Sequence, residues 1–141
     1  MEWENGDFLI STNDDLINLD IVTEMLSSTY WASNRSKATI EKSISNSLSF
    51  GLYYLDKQIG FARVVTDKAV FSWVLDVVID ENYRGKGLGK WFMNCIFEHP
   101  DIKYTAFALA TSDAHDFYAK FNFVNNKCMT KPLHTSKKDY K

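Results

Sequence analysis

The sequence predicts an α/β domain in which helices cover the faces of one sheet. Three observations favour this class. Residues 74–98 combine an apolar strand, a glycine-rich turn and an amphipathic helix. Strands joined by short turns precede that unit, and another strand and helix follow it. The 141 residues are 45% hydrophobic and 15% aromatic, which suits one domain with its own core and excludes disorder.

The first half of the chain is expected to form one strand, two helices and then three strands. A short strand is predicted around 8–10, and an apolar stripe at helical spacing predicts a helix over 14–28. A loop with adjacent aromatic residues leads to a short second helix over 37–46. Strands over 49–55 and 58–65 flank a hairpin turn at Asp56-Lys57. A long strand follows over 70–79.

In the second half, a central helix starts after the glycines and ends before Pro100. Cys95 lies on its apolar stripe and is expected in the core, whereas His99 is expected as a cation at its C-terminus. A strand over 104–110 follows, then a helix that contains Ala114, Phe117, Tyr118 and Phe121 and is capped by Ser112 or Asp113. The tail over 123–133 is expected to add one or two closing strands, and residues 134–141 to be frayed.

Composition excludes several classes of protein. No apolar run approaches the roughly 20 residues of a membrane span, and the acidic start Met1–Glu4 does not resemble a secretory signal. Cys95 and Cys128 have neither metal-ligand spacing nor the density of a disulfide scaffold, so a cytoplasmic protein without a metal site is expected. The net charge of −2 argues against a general nucleic-acid binder.

The glycine loop, residues 84–90 with the sequence RGKGLGK, predicts an anion-binding site. The first turn of a helix has amides without an intrahelical acceptor, and the helix dipole places partial positive charge there. Glycines allow φ > 0 and remove the Cβ atoms that would hold an anion away. Arg84, Lys86 and Lys90 add full charges. A pyrophosphate is therefore the expected ligand.

Two common nucleotide motifs do not match the spacing of this loop. The dinucleotide fingerprint G-x-G-x-x-G has Lys90 in place of its third glycine, and no acidic residue ends a strand near position 107. A Walker A loop needs four residues between its glycines and a Ser or Thr after Gly-Lys, but Trp91 follows Lys90. A nucleotide-binding module is thus disfavoured.

The pattern R-x-x-G-x-G, formed by Arg84, Gly87 and Gly89 after a buried strand, resembles the acyl-coenzyme A loop of the GNAT superfamily of N-acetyltransferases. The resemblance covers residues 8–130 and is strongest over 70–124. It implies a single domain over 1–141 with a central mixed sheet of six to seven strands, splayed at the middle, and about four helices. It also implies acetyl-coenzyme A as co-substrate and direct attack by an amine in a ternary complex.

The resemblance also assigns the residues that bind the cofactor. The backbone of one strand edge would pair with the pantetheine amides, and the loop would hold the pyrophosphate. Thr111 stands where many family members have an asparagine, so either Thr111 or Ser112 is a candidate contact. The strand edge and loop residues are Val77, Val78, Ile79, Arg84, Gly85, Lys86, Gly87, Leu88, Gly89 and Lys90.

Residues 114–123 resemble the A-x-x-x-Y-x-x-x-G-F segment of GNAT enzymes, with Ala114, Tyr118 and Phe123 in register. The resemblance implies that Tyr118 is the general acid that protonates the departing thiolate. The alternative is that Tyr118 only packs beside neighbouring phenylalanines. Asn122 occupies the position of the family's glycine, and we expect it to adopt the positive φ that the helix end requires.

Asp76 is a carboxylate inside an apolar strand, so it needs a partner or a shifted pKa. It is either a general base or anchor for the substrate ammonium, or half of a structural ion pair with Arg63. Both readings stay open at this stage.

The acceptor is expected to be a small-molecule or peptide amine. Aromatic faces suit a cation and an arginine suits a carboxylate or phosphate. The candidate substrate residues are Tyr30, Trp31, Arg35 and Tyr54, with simple core packing as the alternative for the aromatic ones. A non-catalytic acyl-coenzyme A sensor is the alternative function, and a homodimer through strands of the tail is a further expectation.

Overall fold

The computed structural model describes residues 1–126 and 128–132. The described residues divide into two compact units, the first over residues 1–109 and the second beginning at residue 110. Within the described residues, no helix is long and apolar enough to cross a membrane.

The first unit is built on one mixed sheet of six strands in the order β1-β2-β3-β4-β5-β6. The first five strands are antiparallel neighbours, whereas β6 is parallel to β5. This confirms the predicted mixed sheet. The strands are β1 Glu2–Asn5, β2 Phe8–Ser11, β3 Leu48–Tyr54, β4 Lys57–Thr66, β5 Phe71–Ile79 and β6 Ala106–Ala108.

Strand β1 is absent from the sequence prediction. Its residues are mostly exposed and show no apolar stripe, so periodicity does not indicate a strand. The Gly6-Asp7 dipeptide was the available indication, because Gly-Asp pairs favour two-residue hairpin turns. Gly6 has φ 59, and the turn pairs Asn5 with Phe8.

Two helices, α1 Leu19–Ser27 and α2 Lys37–Ser45, cover one face of the sheet. Asn18 and Ser36 cap them by accepting hydrogen bonds from amides of the first turn. The predicted first helix is therefore shorter than expected, because residues 14–16 form a separate 3-10 turn. Apolar side chains of both helices pack in one cluster with Phe61 of β4 and Val78 of β5.

The central helix α3, Leu88–Glu98, covers the opposite face. Phe97 packs against Phe107 of β6, with ring centroids 4.9 Å apart. Cys95 is buried as predicted, and burial raises the pKa of its thiol to about 11, so it is an unreactive core residue.

The prediction that His99 is a helix-terminal cation is wrong. The residue is 6% exposed and packs against Trp3 and Phe50. Burial lowers the pKa of His99, chiefly because the charged form would lose its hydration. Its Nδ1 accepts a hydrogen bond from the Asp101 amide, which an uncharged ring can do.

The sheet is splayed between β5 and β6. The two strands pair only over Phe71–Trp73 and Ala106–Ala108, so β6 pairs with only the first third of β5. The later residues of β5 keep β4 as a neighbour but have no strand partner on their other side within the described chain. This is the separation that the family resemblance implied.

The second unit contains α4, His115–Ala119. The expected caps are wrong, because Ala114 is the N-cap residue and the Thr111 hydroxyl accepts from the amides of Asp113 and Ala114. Asn122 has φ 69, which confirms the expected left-handed residue at the helix end.

The closing strands predicted for the tail are absent from residues 123–126 and 128–132, which are irregular. Leu133 and the predicted frayed end, residues 134–141, lie outside the described residues. The described tail therefore offers no strands for the expected homodimer.

Candidate functional site

The glycine loop joins the end of β5 to the start of α3. Asp80 accepts a hydrogen bond from the Asn82 amide at 2.9 Å and so opens a 3-10 turn over Glu81–Tyr83. Gly85 and Gly87 then have φ of 81° and 76°. Gly87 is the N-cap of α3 in the left-handed conformation, and no side chain caps the helix. These dihedrals turn the chain sharply from strand to helix.

The amides of this loop are open to a ligand. No acceptor in the described chain takes a hydrogen bond from the amides of residues 85–90, whereas the Trp91 amide donates to the Gly87 carbonyl. A Cβ atom at Gly85 or Gly87 would meet nothing within 4 Å, so there is free space in front of the loop. Several unpaired donors at a helix N-terminus form an anion site.

Three cations surround these amides. Arg84, Lys86 and Lys90 are exposed, and none forms an ion pair with a carboxylate of the described chain. Arg84 Nε donates to the Ile79 carbonyl at 2.9 Å, while the Lys86 ammonium lies 5.5 Å from the Tyr83 ring centroid. Their charge is therefore available to an anion at the loop.

The free edge of β5 leads into the loop. The Asp80 amide donates to the Ile59 carbonyl in β4, and backbone groups alternate in direction along a strand. The backbone of Val78, which pairs with Phe61, therefore faces β4, whereas that of Ile79 faces away from it. By the same alternation Val77 faces the splayed side. Of the three predicted edge residues, Val77 and Ile79 present backbone groups there.

Asp76 is the centre of a buried polar cluster, the Asp76 cluster, formed with Trp31, Arg35 and Arg63. Its Oδ2 accepts from Arg63 Nε at 2.6 Å and from Arg35 Nη1 at 2.7 Å, and its Oδ1 accepts from Trp31 Nε1 at 3.1 Å. Arg63 Nη1 also donates to Ser47 Oγ at 3.2 Å. The cluster ties the loop before α2 to strands β4 and β5.

Two further features define Asp76. Its side chain is 1% exposed, and its φ of 56° lies at a register shift in the β4–β5 pair. Aspartate is one of the few residues that tolerate this left-handed conformation. The ion pair with Arg63, named as an alternative from the sequence, is confirmed. Both carboxylate oxygens are occupied by donors, so the geometry favours an anchor over a proton acceptor.

The structure separates the four predicted substrate residues. Trp31 and Arg35 meet at Asp76, and Tyr30 packs edge-on against Trp31 with centroids 5.0 Å apart. Tyr54 instead packs against Phe8, at 4.9 Å, and against Tyr83, at 5.7 Å. Since Tyr83 immediately precedes the glycine loop, Tyr54 lies beside that loop and is not grouped with the others.

In the second unit, Tyr118 is half-buried on α4. Its ring contacts Phe117 at 5.1 Å and Phe123 at 5.9 Å between centroids, so the expected packing beside phenylalanines is present. The Thr111 hydroxyl is engaged by the two amides that begin α4. Its lone pairs are thus already in use locally.

The acetyltransferase (GNAT) domain model matches residues 45–125 of the chain. A solved structure from Xanthomonas campestris pv. campestris, assigned to the GNAT acetyltransferases, is 33% identical. The match covers 89% of this chain and 93% of that one, with a TM-score of 0.86.

Curated relatives include an acetyltransferase-like protein of Gibberella zeae, 28% identical over 68% of this chain and 66% of its own length. Another is the uncharacterized N-acetyltransferase ycf52 of Gracilaria tenuistipitata, 29% identical over 78% of this chain and 64% of its own length. The chain thus spans slightly less than two thirds of the length of these two relatives.

Proposed function

Because the chain belongs to the GNAT family of acetyltransferases, we propose that it transfers an acetyl group from acetyl-coenzyme A to a primary amine. The observation that carries this proposal is the glycine loop, with six consecutive amides that donate to nothing in the described chain. Their position at a helix N-terminus, among three cations without carboxylate partners, suits the two linked phosphates of the carrier.

The residues present fit coenzyme A beyond its phosphates. The backbone of Val77 and the amide of Ile79 on the splayed side of β5 can pair with the pantetheine amides as an added strand would, while the Ile79 carbonyl accepts from Arg84 Nε. A Cβ at Gly85 or Gly87 would point into open space rather than into protein. Edge and loop are continuous along the chain, so one extended ligand can follow both.

Bound acetyl-coenzyme A supplies an acetyl group already activated as a thioester. In the proposed reaction the chain's own residues position that thioester beside an amine, so that attack is direct and no acyl-enzyme forms. Tyr118 is proposed as the proton donor to the departing sulfur, by its match to the family's tyrosine. A phenol ordinarily keeps its proton at neutral pH and can therefore act as an acid.

Asp76 is proposed as an anchor rather than as the base. Its carboxylate already accepts hydrogen bonds from two guanidinium groups and an indole, so its contacts suit a role in holding those side chains. In this proposal the acceptor ammonium loses its proton to water, and Asp76 holds the surrounding side chains in place.

Thermal unfolding and thiol release together test the proposal. Coenzyme A should raise the melting temperature, whereas NAD at the same concentration should not. With acetyl-coenzyme A and a panel of primary amines, at least one amine should raise free thiol above the hydrolysis blank. The Tyr118→Phe variant should lose roughly tenfold or more in kcat and keep its coenzyme A shift.

Tyr104→Phe is the matched control, since Tyr104 is 89% exposed and should be neutral. Coenzyme A binding without thiol release from any amine would contradict catalysis and leave a binding protein. An absent coenzyme A shift would remove the proposal entirely.

A further inference from the structure

We infer that the amine acceptor also carries an anionic group, a carboxylate or phosphate, which the Asp76 cluster binds through Arg35. The inference rests on the proposed acetyl transfer and specifies the substrate class for it. It follows from the charge, the exposure and the position of the cluster.

The cluster has more positive than negative charge. Arg35 and Arg63 both pair with the single carboxylate of Asp76, and neither arginine has a second acidic partner in the described chain. Arginine stays protonated under all physiological conditions. One positive charge is therefore left uncompensated in a partly buried place, where a charge costs more than at the open surface. An incoming anion would neutralise it.

Exposure identifies Arg35 as the group that an anion can reach. The side chain of Asp76 is 1% exposed and that of Arg63 12%, compared with 23% for Arg35. Only Nη1 of Arg35 bonds to Asp76, so the other edge of its planar guanidinium keeps donors suited to a carboxylate or phosphate. Trp31 and Tyr30, 44% and 61% exposed, flank it in the same loop.

The position of the cluster relates this anion to the reaction. Asp76 immediately precedes Val77, which lies on the part of β5 that β6 leaves unpaired. An amine that approaches a thioester held on that edge can therefore place a tail a few bonds away against Arg35. The surplus positive charge also disfavours an ammonium nearby, which helps the acceptor to adopt the neutral form that attacks. Polycationic acceptors should be poor for the same reason.

Matched acceptor pairs test the inference without altering the protein. The panel pairs glycine, 3-aminopropanoate and 5-aminopentanoate with their carboxamides, and adds 3-aminopropylphosphonate, butylamine and spermidine. For at least one chain length, kcat/KM should be about tenfold or more higher for the carboxylate or phosphonate than for the neutral amine, as a charge-assisted hydrogen bond provides. Comparison of the amino carboxylates with 3-aminopropylphosphonate shows whether the cluster prefers a carboxylate or a phosphate-like group.

A second experiment assigns any preference to Arg35. In Arg35→Gln, Asp76 keeps Arg63 and Trp31 as donors, so its carboxylate is not left unpaired. In this variant the ratio of kcat/KM for the anionic acceptor to kcat/KM for its neutral counterpart should fall towards one, and Arg35→Lys should restore part of the preference. Lys37→Gln is the matched control, because it removes an equal charge from an exposed pair with Asp20. The control should keep the preference.

The outcomes separate this inference from the proposed function. If the neutral amines or spermidine have a kcat/KM equal to that of the anionic acceptors, the inference is wrong and the acetyltransferase activity stands. If Arg35→Gln keeps a preference shown by the wild type, the anion binds elsewhere and the inference is again wrong. If no amine in the panel releases thiol above the blank, both fail.

Discussion

Two polar regions lie a few residues apart along β5 and the loop after it, and they use their hydrogen-bonding groups in opposite ways. In the Asp76 cluster, both oxygens of a buried carboxylate are bonded to donors from β4 and from the loop before α2. In the glycine loop, amides 85–90 donate to nothing in the described chain, and its three cations have no carboxylate partners.

The difference distinguishes a buried carboxylate, whose partners the protein itself supplies, from donors that are left open for a ligand. A buried charge is tolerated only when the protein itself supplies its partners, so removal of one partner is paid in stability. Open donors at a helix N-terminus lower the stability of the fold little, because water solvates them in the absence of a ligand. Their removal instead weakens the binding of an anionic ligand. Mutations in the first region should therefore change the free energy of unfolding, and mutations in the second should change affinity for coenzyme A.

The largest effect is expected from Asp76→Asn. Asparagine tolerates the positive φ of this position, so the substitution removes mainly the charge. Two guanidinium groups would then lack a counter-ion, and the free energy of unfolding should fall by roughly 3 kcal/mol. This loss lies at the low end of the cost of breaking a buried ion pair, because both arginine side chains keep some exposure to solvent. Urea denaturation measures it.

The exposed pair of Asp20 with Lys37 provides the control for that measurement. Asp20→Asn should cost about 1 kcal/mol or less, since both side chains are largely exposed to solvent. Equal losses for Asp76→Asn and Asp20→Asn would contradict the proposal that Asp76 is an anchor.

A smaller effect, on binding rather than folding, is expected from Gly87→Ala. Gly87 has φ 76 and Gly6 has φ 59, and a Cβ at either would meet nothing within 4 Å. Alanine should therefore cost each about 1 kcal/mol of conformational strain. Only Gly87→Ala should also weaken coenzyme A binding, by about tenfold or more, because it changes the start of α3. Calorimetric titration of both variants compares them.

Gly6→Ala thus reports the backbone cost alone, in the β1–β2 turn away from the glycine loop. If both variants bind coenzyme A like the wild type, or if both lose it equally, the loop amides do not form the cofactor site.

Local pattern was sufficient to predict most of the fold. The strand, turn and helix of residues 74–98 were predictable because apolar periodicity and glycine conformation are properties of neighbouring residues. Asn122 was predictable for the same reason. Strand β1 was not predictable from local pattern, because a mostly exposed edge strand has no apolar stripe. The error at His99 follows from that omission, since Trp3 of β1 helps to bury the imidazole.

In the candidate site, too, features set by neighbouring residues were predictable and features set by distant residues were not. The open loop was predictable because its groups are contiguous in sequence. The Asp76 cluster was predictable only in part, as an ion pair with Arg63 from the neighbouring strand. Trp31 and Arg35 reach Asp76 across 45 and 41 residues, and no local pattern indicates such a contact. Residue type alone therefore does not show which side chains the protein engages in contacts of its own.

The smallest effect extends the comparison to His99, a third polar side chain that the protein buries. Burial lowers the pKa of His99 below its ordinary 6.5, against a weaker opposing effect of Asp101. The unfolded chain therefore takes up a proton first as pH falls, so stability should be full above pH 6.5 and decline as pH falls through the folded pKa.

Urea denaturation between pH 7.5 and pH 5.5 measures this decline, and His99→Asn should reduce its slope. Asparagine can still accept the Asp101 amide through its side-chain oxygen but does not titrate. Loss of the ring from its contacts with Trp3 and Phe50 lowers the stability of the variant at every pH, so the slope is the relevant quantity. An unchanged slope would mean that the imidazole is solvated enough to protonate in place. His99 would then resemble the open donors of the glycine loop more than the enclosed carboxylate of Asp76.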